Sequence, residues 1–390
     1  MNTFSHADFQ LSSDRGFLSR FDPQGQVLPS NLQPVRDTAL ALPWLLPTGR
    51  IRTHVERLPV LDLEELCADA ELPLLRVAMV HYAFLAQAYV WGEPAAPRSL
   101  PACLAKPLWS LGQATGQPPL LTYAHYVLDN WALIEPQRGF DLSNLRMLQP
   151  FLGGQDEAWF VLIHVAIEAR AGAMMARVPE VIDAAAQGNG SGVEEGLAAM
   201  VQVWDDVNAI FARTPERCDP YVYFHRVRPW IHGWKDNPAL GDGLVYEGVT
   251  DTQGKPQSFR GQTGSQSSIV PTMDAFLNVG HANDPLRSFL DELHPYRPPA
   301  HQRFIHEVKA RSRVREWVAD EGSPLHRDLY NACVDRLTRF RTQHLEYAAS
   351  YIAKQSSRST GNDVAVGTGG TPFMKYLKKH RDEARAHMLS

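Results

Sequence analysis

Residues 156–178, DEAWFVLIHVAIEARAGAMMARV, place apolar side chains at every third or fourth position. That recurrence matches the turn of an α-helix and predicts a long helix with a buried face. Residues 193–213, VEEGLAAMVQVWDDVNAIFAR, repeat the pattern, and the short linker GNGSG at 188–192 separates the two segments. We therefore predict a helical hairpin and, with it, an all-α fold.

Helical patterns also flank this hairpin on the N-terminal side. LPLLRVAMVHYAFLAQAYV at 72–90 and PPLLTYAHYVLDNWALI at 118–134 alternate with Pro/Gly breaks, which predicts a smaller N-terminal helical domain over residues 1–150. Residues 151–390 then form a large helical domain. Within it, residues 243–268 are the exception, because two strand-like runs around a turn predict a minor β-hairpin before a polar loop.

The composition is that of an ordinary globular protein. The chain has 390 residues, of which 44% are hydrophobic, enough to bury a sizeable core. Its 38 basic and 43 acidic residues give a net charge of -5, so no basic surface for nucleic acid is indicated. No uninterrupted apolar run approaches the roughly 20 residues that span a bilayer, and MNTFSHADFQ does not resemble a secretion signal. We expect a cytoplasmic protein without a membrane partner.

The four cysteines, Cys67, Cys103, Cys218 and Cys333, lie far apart with no CxxC motif. This spacing argues against a thiolate zinc site, a redox pair and covalent attachment of a c-type haem. We expect them to be core thiols.

One histidine stands on an apolar helical stripe in RFRTQHLEYAASYI, residues 339–352. His344 shares a helix face with Cys333, Leu337, Phe340, Tyr347, Ala348 and Tyr351, so its ring should point inward. A buried imidazole can be a core group bonded to a backbone carbonyl, or it can be a metal or haem ligand. Helical position alone leaves both open.

Several familiar catalytic patterns are missing from the sequence. It contains no HExxH, Glu-x-x-His or GxSxG, the patterns of zinc proteases, carboxylate di-iron proteins and nucleophile elbows. The GTGG at 367–370 has neither the Lys-Ser/Thr of a P-loop nor a GxGxxG fingerprint. Its backbone N–H groups suit a carboxylate as well as a phosphate.

Five separated segments resemble, in order and spacing, the indoleamine 2,3-dioxygenase family. They are HRVRPWIHGWKDNP (225–238), GLVYEG (243–248), GQTGSQSS (261–268), RTQHL (341–345) and GTGGT (367–371). The resemblance runs from about residue 118 to the C-terminal helix. It implies a b-type haem held between helices of the large domain, with His344 as the proximal iron ligand and Asp274 and Arg341 as an ion pair on the proximal side.

The resemblance also implies a substrate pocket on the other side of the haem. Arg228 matches the arginine that binds the substrate carboxylate, and Phe160 and Tyr223 match the aromatic walls. The remaining residues that the resemblance places at the substrate are Tyr123, Tyr126, His164, Thr263, Gly264 and Thr368, the last in a mobile lid loop at 357–370. His164 stands where animal members of the family have serine, and with Arg228 it forms the expected catalytic pair. A neutral imidazole there could accept from the indole N–H.

The activity that the resemblance implies is a haem-dependent dioxygenase reaction of tryptophan catabolism. It inserts both atoms of O2 across the indole C2–C3 bond of L-tryptophan, or a related indoleamine, to give N-formylkynurenine. The family also implies a monomer and an external reductant that rescues ferric enzyme. Two alternatives stay open: a haem enzyme that rearranges or oxidises a substituted tryptophan in secondary metabolism, and a non-catalytic haem-binding sensor.

Overall fold

A computed structural model of the chain describes residues 4–282, 285–356 and 373–390. Over these ranges helices dominate and strands are few and short, so the predicted all-α fold is confirmed. The predicted lid at 357–370, including Thr368, lies outside the described residues.

The helices and strands follow one another in a simple order. The α-helices are α1 Gln33–Leu40, α2 Leu42–Leu45, α3 Ile51–Val55, α4 Glu64–Asp69, α5 Leu72–Trp91, α6 Ala102–Thr115, α7 Gln155–Ala186, α8 Gly190–Ala212, α9 Pro220–Val222, α10 Ile269–Phe276, α11 Pro285–Leu293, α12 Pro299–Arg311, α13 Val314–Asp320, α14 Pro324–Ala348, α15 Lys354–Ser356 and α16 Phe373–Arg385. The strands are β1 Ser99–Leu100, β2 Trp131–Leu133, β3 Leu145–Met147 and β4 Val245–Tyr246.

Short helices of other types connect these elements. The 3-10 helices are His6–Phe9, Ser30–Leu32, Leu46–Thr48, Pro136–Arg138, Leu142–Asn144, Thr214–Glu216, Arg228–Ile231, Thr250–Thr252, Gly264–Gln266 and His294–Tyr296. Three π-helical turns occur in the described parts of the chain: Ala124–Leu128, Tyr223–Val227 and Ala349–Ala353.

The predicted hairpin of α7 and α8 is confirmed and lies at the centre of the molecule. Asn189 caps α8, because its side-chain oxygen accepts from the Gly192 N–H at 3.1 Å. By length and composition α7 could cross a membrane, and it is the one described helix with this property. However, 72% of its most apolar window is buried inside the structure, as expected for a core helix.

Helix α14 packs against α8 and carries His344. Ser323 caps its N-terminus by accepting from the His326 N–H, and Pro324 occupies its first turn. Cys333 and Leu337 are fully buried on the face that the apolar stripe predicts. The inward orientation of this stripe is therefore confirmed.

The helix predicted over residues 118–134 is wrong. Only the π turn Ala124–Leu128 is helical, and β2 pairs with β3 in an antiparallel ladder. The side chain of Asn130 ends the turn, because its Nδ2 donates to the Tyr126 carbonyl at 3.3 Å and to the Gln149 carbonyl at 2.9 Å. The residues of this segment are apolar because they are buried on all sides. Spacing alone cannot distinguish such a buried irregular segment from a buried helix.

In place of the predicted β-hairpin, the structure has one isolated antiparallel bridge. Leu244 and Gln257 form a single antiparallel bridge, with N–H···O distances of 3.0 and 2.7 Å. Strand β4 instead pairs in parallel with β1, which precedes it by more than a hundred residues. The domain boundary at residue 150 stays a prediction, since one continuous apolar core extends from the N-terminal segment through α5 and α7 to α14.

Candidate functional site

From their burial and their shared neighbour Phe211, we infer that His164 on α7 and His344 on α14 border one internal space. Both lie deep in the chain, yet both keep accessible surface, which a deep side chain retains only next to a space. The ring of Phe211 lies 6.5 Å from that of His164 and 6.3 Å from that of His344. Burial, with a smaller contribution from His164, lowers the pKa of His344 to about 4, so its imidazole is neutral near pH 7.

The chemistry of this space fits a haem. Among the described residues, none hydrogen-bonds to the ring of His344, so a nitrogen lone pair stays available for an iron ion. Neutral imidazole is the usual axial ligand in haem proteins. The rings of Phe160 and Phe211 supply the apolar surroundings that a porphyrin needs.

His164 has a defined tautomer. Its Nδ1 lies 2.7 Å from the Phe160 carbonyl oxygen, one turn earlier on α7. A carbonyl only accepts, so Nδ1 must donate and Nε2 must carry the lone pair. Burial lowers the pKa of His164, which keeps the ring neutral. The ring can therefore accept one hydrogen bond through Nε2.

Phe160 is the centre of an aromatic cluster on this side of the space. Its ring centroid lies 4.7 Å from that of Tyr223 and 4.8 Å from that of His164. Tyr126 lies behind it at 6.5 Å and is fully buried. Of the predicted aromatic residues, Phe160 and Tyr223 therefore form the inner layer, and Tyr126 supports them from the core.

Tyr123 is fixed by a buried carboxyl group. Its hydroxyl donates to Glu168 Oε1 at 2.9 Å, and the hydroxyl of Ser267 donates to the same oxygen at 2.7 Å. Glu168 follows His164 by one turn of α7, and burial raises the pKa of its carboxyl to about 7 despite these two bonds. Glu168 thus connects the helix of His164 to both Tyr123 and the loop that contains Thr263.

Arg228 is fully buried beside the aromatic cluster. The π turn Tyr223–Val227 ends with a bond from the Arg228 N–H to the Tyr223 carbonyl, which stacks residue 228 next to residue 223. Arg228 Nη1 lies 3.3 Å from His232 Nε2, and its guanidinium lies 5.6 Å from the Phe224 ring. Burial, followed by the Arg228 charge, lowers the pKa of His232 to about 3, so His232 is a neutral acceptor that orients the guanidinium.

Thr263 and Gly264 open a short 3-10 helix that ends at Gln266, whose Oε1 accepts from the Tyr123 N–H at 2.9 Å. Thr263 caps it by accepting from the Ser265 N–H at 3.4 Å, and Gly264 is exposed. The buried Arg297 donates to the carbonyls of Ser265 and Ser267 at 2.7 and 3.1 Å. These bonds give the loop one fixed conformation.

Gly233 allows the Arg228 segment and the Thr263 loop to approach each other. A Cβ at this position would lie 2.1 Å from the Gly261 nitrogen and 2.6 Å from the Phe259 carbonyl oxygen. Trp234 N–H also donates to that oxygen at 2.8 Å. The two backbones are in contact, with no room for a methyl group.

We therefore expect Gly233→Ala to destabilise the protein by about 2 kcal/mol or more and to lower activity, because the added methyl group must separate two backbones. Chemical denaturation followed by fluorescence measures the first effect. Gly25→Ala is the matched control, since a Cβ there meets only ordinary contacts, the nearest at 3.5 Å. Equal stability of the two variants would contradict the close approach.

Asp274 and Arg341, which the resemblance assigns to the proximal side, form an ion pair. Arg341 Nη2 donates to Asp274 Oδ2 at 2.6 Å, and both side chains are largely buried. Burial raises the pKa of Asp274, but the charge of Arg341 and the bonds to the carboxylate outweigh it and hold the pKa at about 2. The pair lies on α10 and α14, and Arg341 precedes His344 by three residues on one helix face.

The structure brings most of the predicted residues together. Phe160, Tyr223, His164 and His344 lie in one group of ring contacts, with Tyr126 behind Phe160. Tyr123 and the loop of Thr263 and Gly264 meet on Glu168, Arg228 lies next to Tyr223, and Asp274 pairs with Arg341. Thr368 lies outside the described residues. Sequence reasoning gave no role to Glu168, His232 or Phe211. Helical spacing gave a weak signal only for Glu168, which lies one turn beyond His164.

Comparisons with known proteins agree with this geometry. Residues 5–387 match the family model described as indoleamine 2,3-dioxygenase. The chain is similar to indoleamine 2,3-dioxygenase 1 of Rattus norvegicus, at 33% identity over 98% of this chain and 95% of that protein. It is 28% identical to indoleamine 2,3-dioxygenase of Saccharomyces cerevisiae, over 96% of this chain and 92% of that protein. A protein named myoglobin from Haliotis diversicolor is 29% identical over 96% of both chains. The chain therefore belongs to the indoleamine 2,3-dioxygenase family, and its activity is that of the family's tryptophan-cleaving oxidoreductases.

Proposed function

We propose that this chain binds haem b through His344 and cleaves the indole ring of L-tryptophan, or a related indoleamine, in the space between His344 and His164. The observation that carries the assignment is the pair of neutral, deep imidazoles that share this space, one of them without a hydrogen-bond partner among the described residues. When bound, haem supplies the chemistry that activates O2 toward the indole C2–C3 bond.

The protein's own contribution is to bind, orient and exclude water. The Phe160 and Tyr223 rings, whose centroids lie 4.7 Å apart, give the indole an apolar wall. Arg228 binds the substrate carboxylate from a buried position, where a charge-assisted bond is strongest. We propose that Thr263 and Gly264 lie at the edge of the site and that Thr368 contacts the same carboxylate. Holding the substrate at both ends positions the reacting bond.

His164 supplies a neutral acceptor beside the aromatic ring of Phe160. Because Nδ1 donates to the Phe160 carbonyl, Nε2 is free to accept from the indole N–H. We propose that this bond orients the ring and selects substrates that keep a free N–H. No strong base is required in this scheme, since O2 itself oxidises the substrate, both of its oxygen atoms are added, and a turnover consumes no electrons from an external donor.

A substrate pair tests the role of His164. L-tryptophan is expected to exceed its N1-methyl derivative in kcat/KM by roughly ten-fold or more, because the methyl group removes the donor and leaves Nε2 unpaired. In His164→Ala this preference should largely disappear. Equal rates for the two substrates with the wild-type protein would contradict the proposed bond.

The activity itself is tested with isotopically labelled oxygen. Reduced full-length protein with haem, ¹⁸O2 and L-tryptophan is followed by mass spectrometry of the product. We expect N-formylkynurenine that contains both labelled atoms. A rearranged isomer or an oxidised, uncleaved product would instead support an enzyme of secondary metabolism that acts on a substituted tryptophan.

A second candidate is a haem protein without turnover, such as a sensor. One observation favours it, since a relative of nearly equal coverage and identity carries the name myoglobin. The buried Arg228 and the acceptor on His164 favour the enzyme, because a protein that binds only a diatomic gas has no use for a carboxylate site. Absence of product in the labelling experiment, with normal haem binding, would support the sensor.

We further propose that the protein is a cytoplasmic monomer that depends on an external reductant to restore ferric enzyme. The thiol state supports the location, because all four cysteines are free and three of them are buried. The family supports the monomer and the reductant. Light scattering of the purified protein, which measures its molar mass, tests the monomeric state.

A further inference from the structure

The side chain of His281 lies between two carboxylates at the end of α10. Its Nε2 is 3.2 Å from Asp274 Oδ2 and its Nδ1 is 2.6 Å from Glu383 Oε2, and only 4% of the side chain is exposed. The pKa values of both carboxyl groups are lowered, so both are ionised and can only accept. Each ring nitrogen must therefore donate, which requires the imidazolium form.

These bonds form a continuous chain of charges across three helices. Glu383 belongs to α16, Asp274 to α10 and Arg341 to α14, and Asp274 Oδ2 accepts from both His281 and Arg341. Arg341 lies one helical turn before His344. A contact made by the C-terminal helix thus extends to the helix that carries the proposed haem ligand.

The other groups that face His281 do not replace its charge. His380 of α16 stacks on it with ring centroids 4.4 Å apart, and burial, followed by the charge of His281, lowers the pKa of His380 to about 3, so His380 is neutral. Lys379 Nζ lies 3.5 Å from Glu383 Oε1 at the more exposed end. If His281 lost its proton, Asp274 would keep only Arg341 as a cationic partner, and Glu383 would keep only the more exposed Lys379.

We propose that protonated His281 is a positioning residue for the proximal side of the site: it fastens α16 to the Asp274–Arg341 pair and sets the charge that this pair presents beside His344. The part that concerns haem rests on the function proposed above. The fastening of α16 does not.

The direction of the pH dependence follows from the geometry. Burial lowers the pKa of His281, but the hydrogen bonds to Asp274 and Glu383 and the charge of Asp274 outweigh it and raise the pKa above the usual value. Its contribution is then fully present below the unfolded-state pKa of about 6.5 and is lost as the pH rises through the folded-state value. Above that pH, α16 should bind less firmly. The excess negative charge near the haem should stabilise the ferric state and lower its reduction potential.

The first experiment measures hydrogen exchange of residues 378–390 in full-length protein as purified, expressed as protection factors that are corrected for the intrinsic effect of pH. At acidic to neutral pH, His281→Gln should reduce protection roughly ten-fold, the effect of losing charge-assisted bonds. His380→Gln is the matched control, because it changes the neutral histidine of the stacked pair. Unchanged protection in His281→Gln would overturn the proposal.

The second experiment measures the midpoint potential of the haem-loaded protein as a function of pH. Wild type should show a fall in potential above neutral pH that His281→Gln lacks and His380→Gln keeps. Glu383→Gln, which keeps an acceptor but removes a charge, should move this fall to lower pH, and it serves if His281→Gln does not fold. A potential that depends on pH equally in wild type and His281→Gln would overturn the part of the proposal that concerns the charge beside His344, and would leave only the fastening of α16. If the protein binds no haem, the proposed function is wrong, and the hydrogen-exchange experiment alone tests whether His281 fastens α16.

Discussion

Arg228→Gln is expected to lower kcat/KM for L-tryptophan by roughly 10²- to 10³-fold, the effect of removing one partner of a buried, charge-assisted pair. Three features of the site set this size. Arg228 is fully buried, its guanidinium is oriented by the neutral His232, and the π turn places it next to Tyr223. Glutamine can donate one bond but supplies neither the charge nor the paired donors of a guanidinium.

Tryptamine, which lacks the carboxylate, provides the control for this variant. Wild type should prefer L-tryptophan strongly, whereas Arg228→Gln should treat the two substrates nearly alike. The preference of Arg228→Lys for L-tryptophan over tryptamine should lie between those of wild type and Arg228→Gln, since lysine keeps the charge but lacks the planar pair of donors of a guanidinium. If Arg228→Gln lowers the rates with both substrates by the same factor, Arg228 acts on the fold and not on the carboxylate.

The helices at the centre of the molecule could be predicted because their signal is local. In α7, α8 and α14 the apolar residues recur over many turns, so the buried face of each helix and the inward direction of His344 follow from spacing alone. The segment at 118–134 had an equally strong apolar signal, but its strand β2 depends on pairing with β3 and on the Asn130 side chain. Spacing contains no information on such partners.

The candidate site could be predicted only in part, for a related reason. Family motifs identified His344, Arg228 and Phe160, yet no motif shows that Ser267 and Tyr123 meet on Glu168 or that His281 bridges Asp274 and Glu383. These contacts join residues that lie far apart in the sequence. The three described π turns also could not be predicted from the sequence. Two of them contain or adjoin predicted site residues, and the third follows the helix of His344.

Loss of His344 is expected to have the largest effect of any single substitution. In His344→Ala, haem should bind weakly or with altered coordination, and product formation should fall by roughly 10³-fold or more, because a ligand bond to iron orients the whole cofactor. His344→Gly should recover part of its haem binding and product formation when imidazole is added, since the missing ring leaves a space of that shape. Burial keeps this ring neutral, which is the form in which it would bind iron.

His164→Ala is the matched control, because it removes the other imidazole that borders the same space. The decisive measurement is a titration of haem into full-length wild type, His344→Ala and His164→Ala, followed through the Soret band. We predict that wild type and His164→Ala give the band of a histidine-ligated haem and that His344→Ala does not. An unaltered Soret band in His344→Ala, with full conversion of L-tryptophan, would contradict the placement of the cofactor and everything inferred from it.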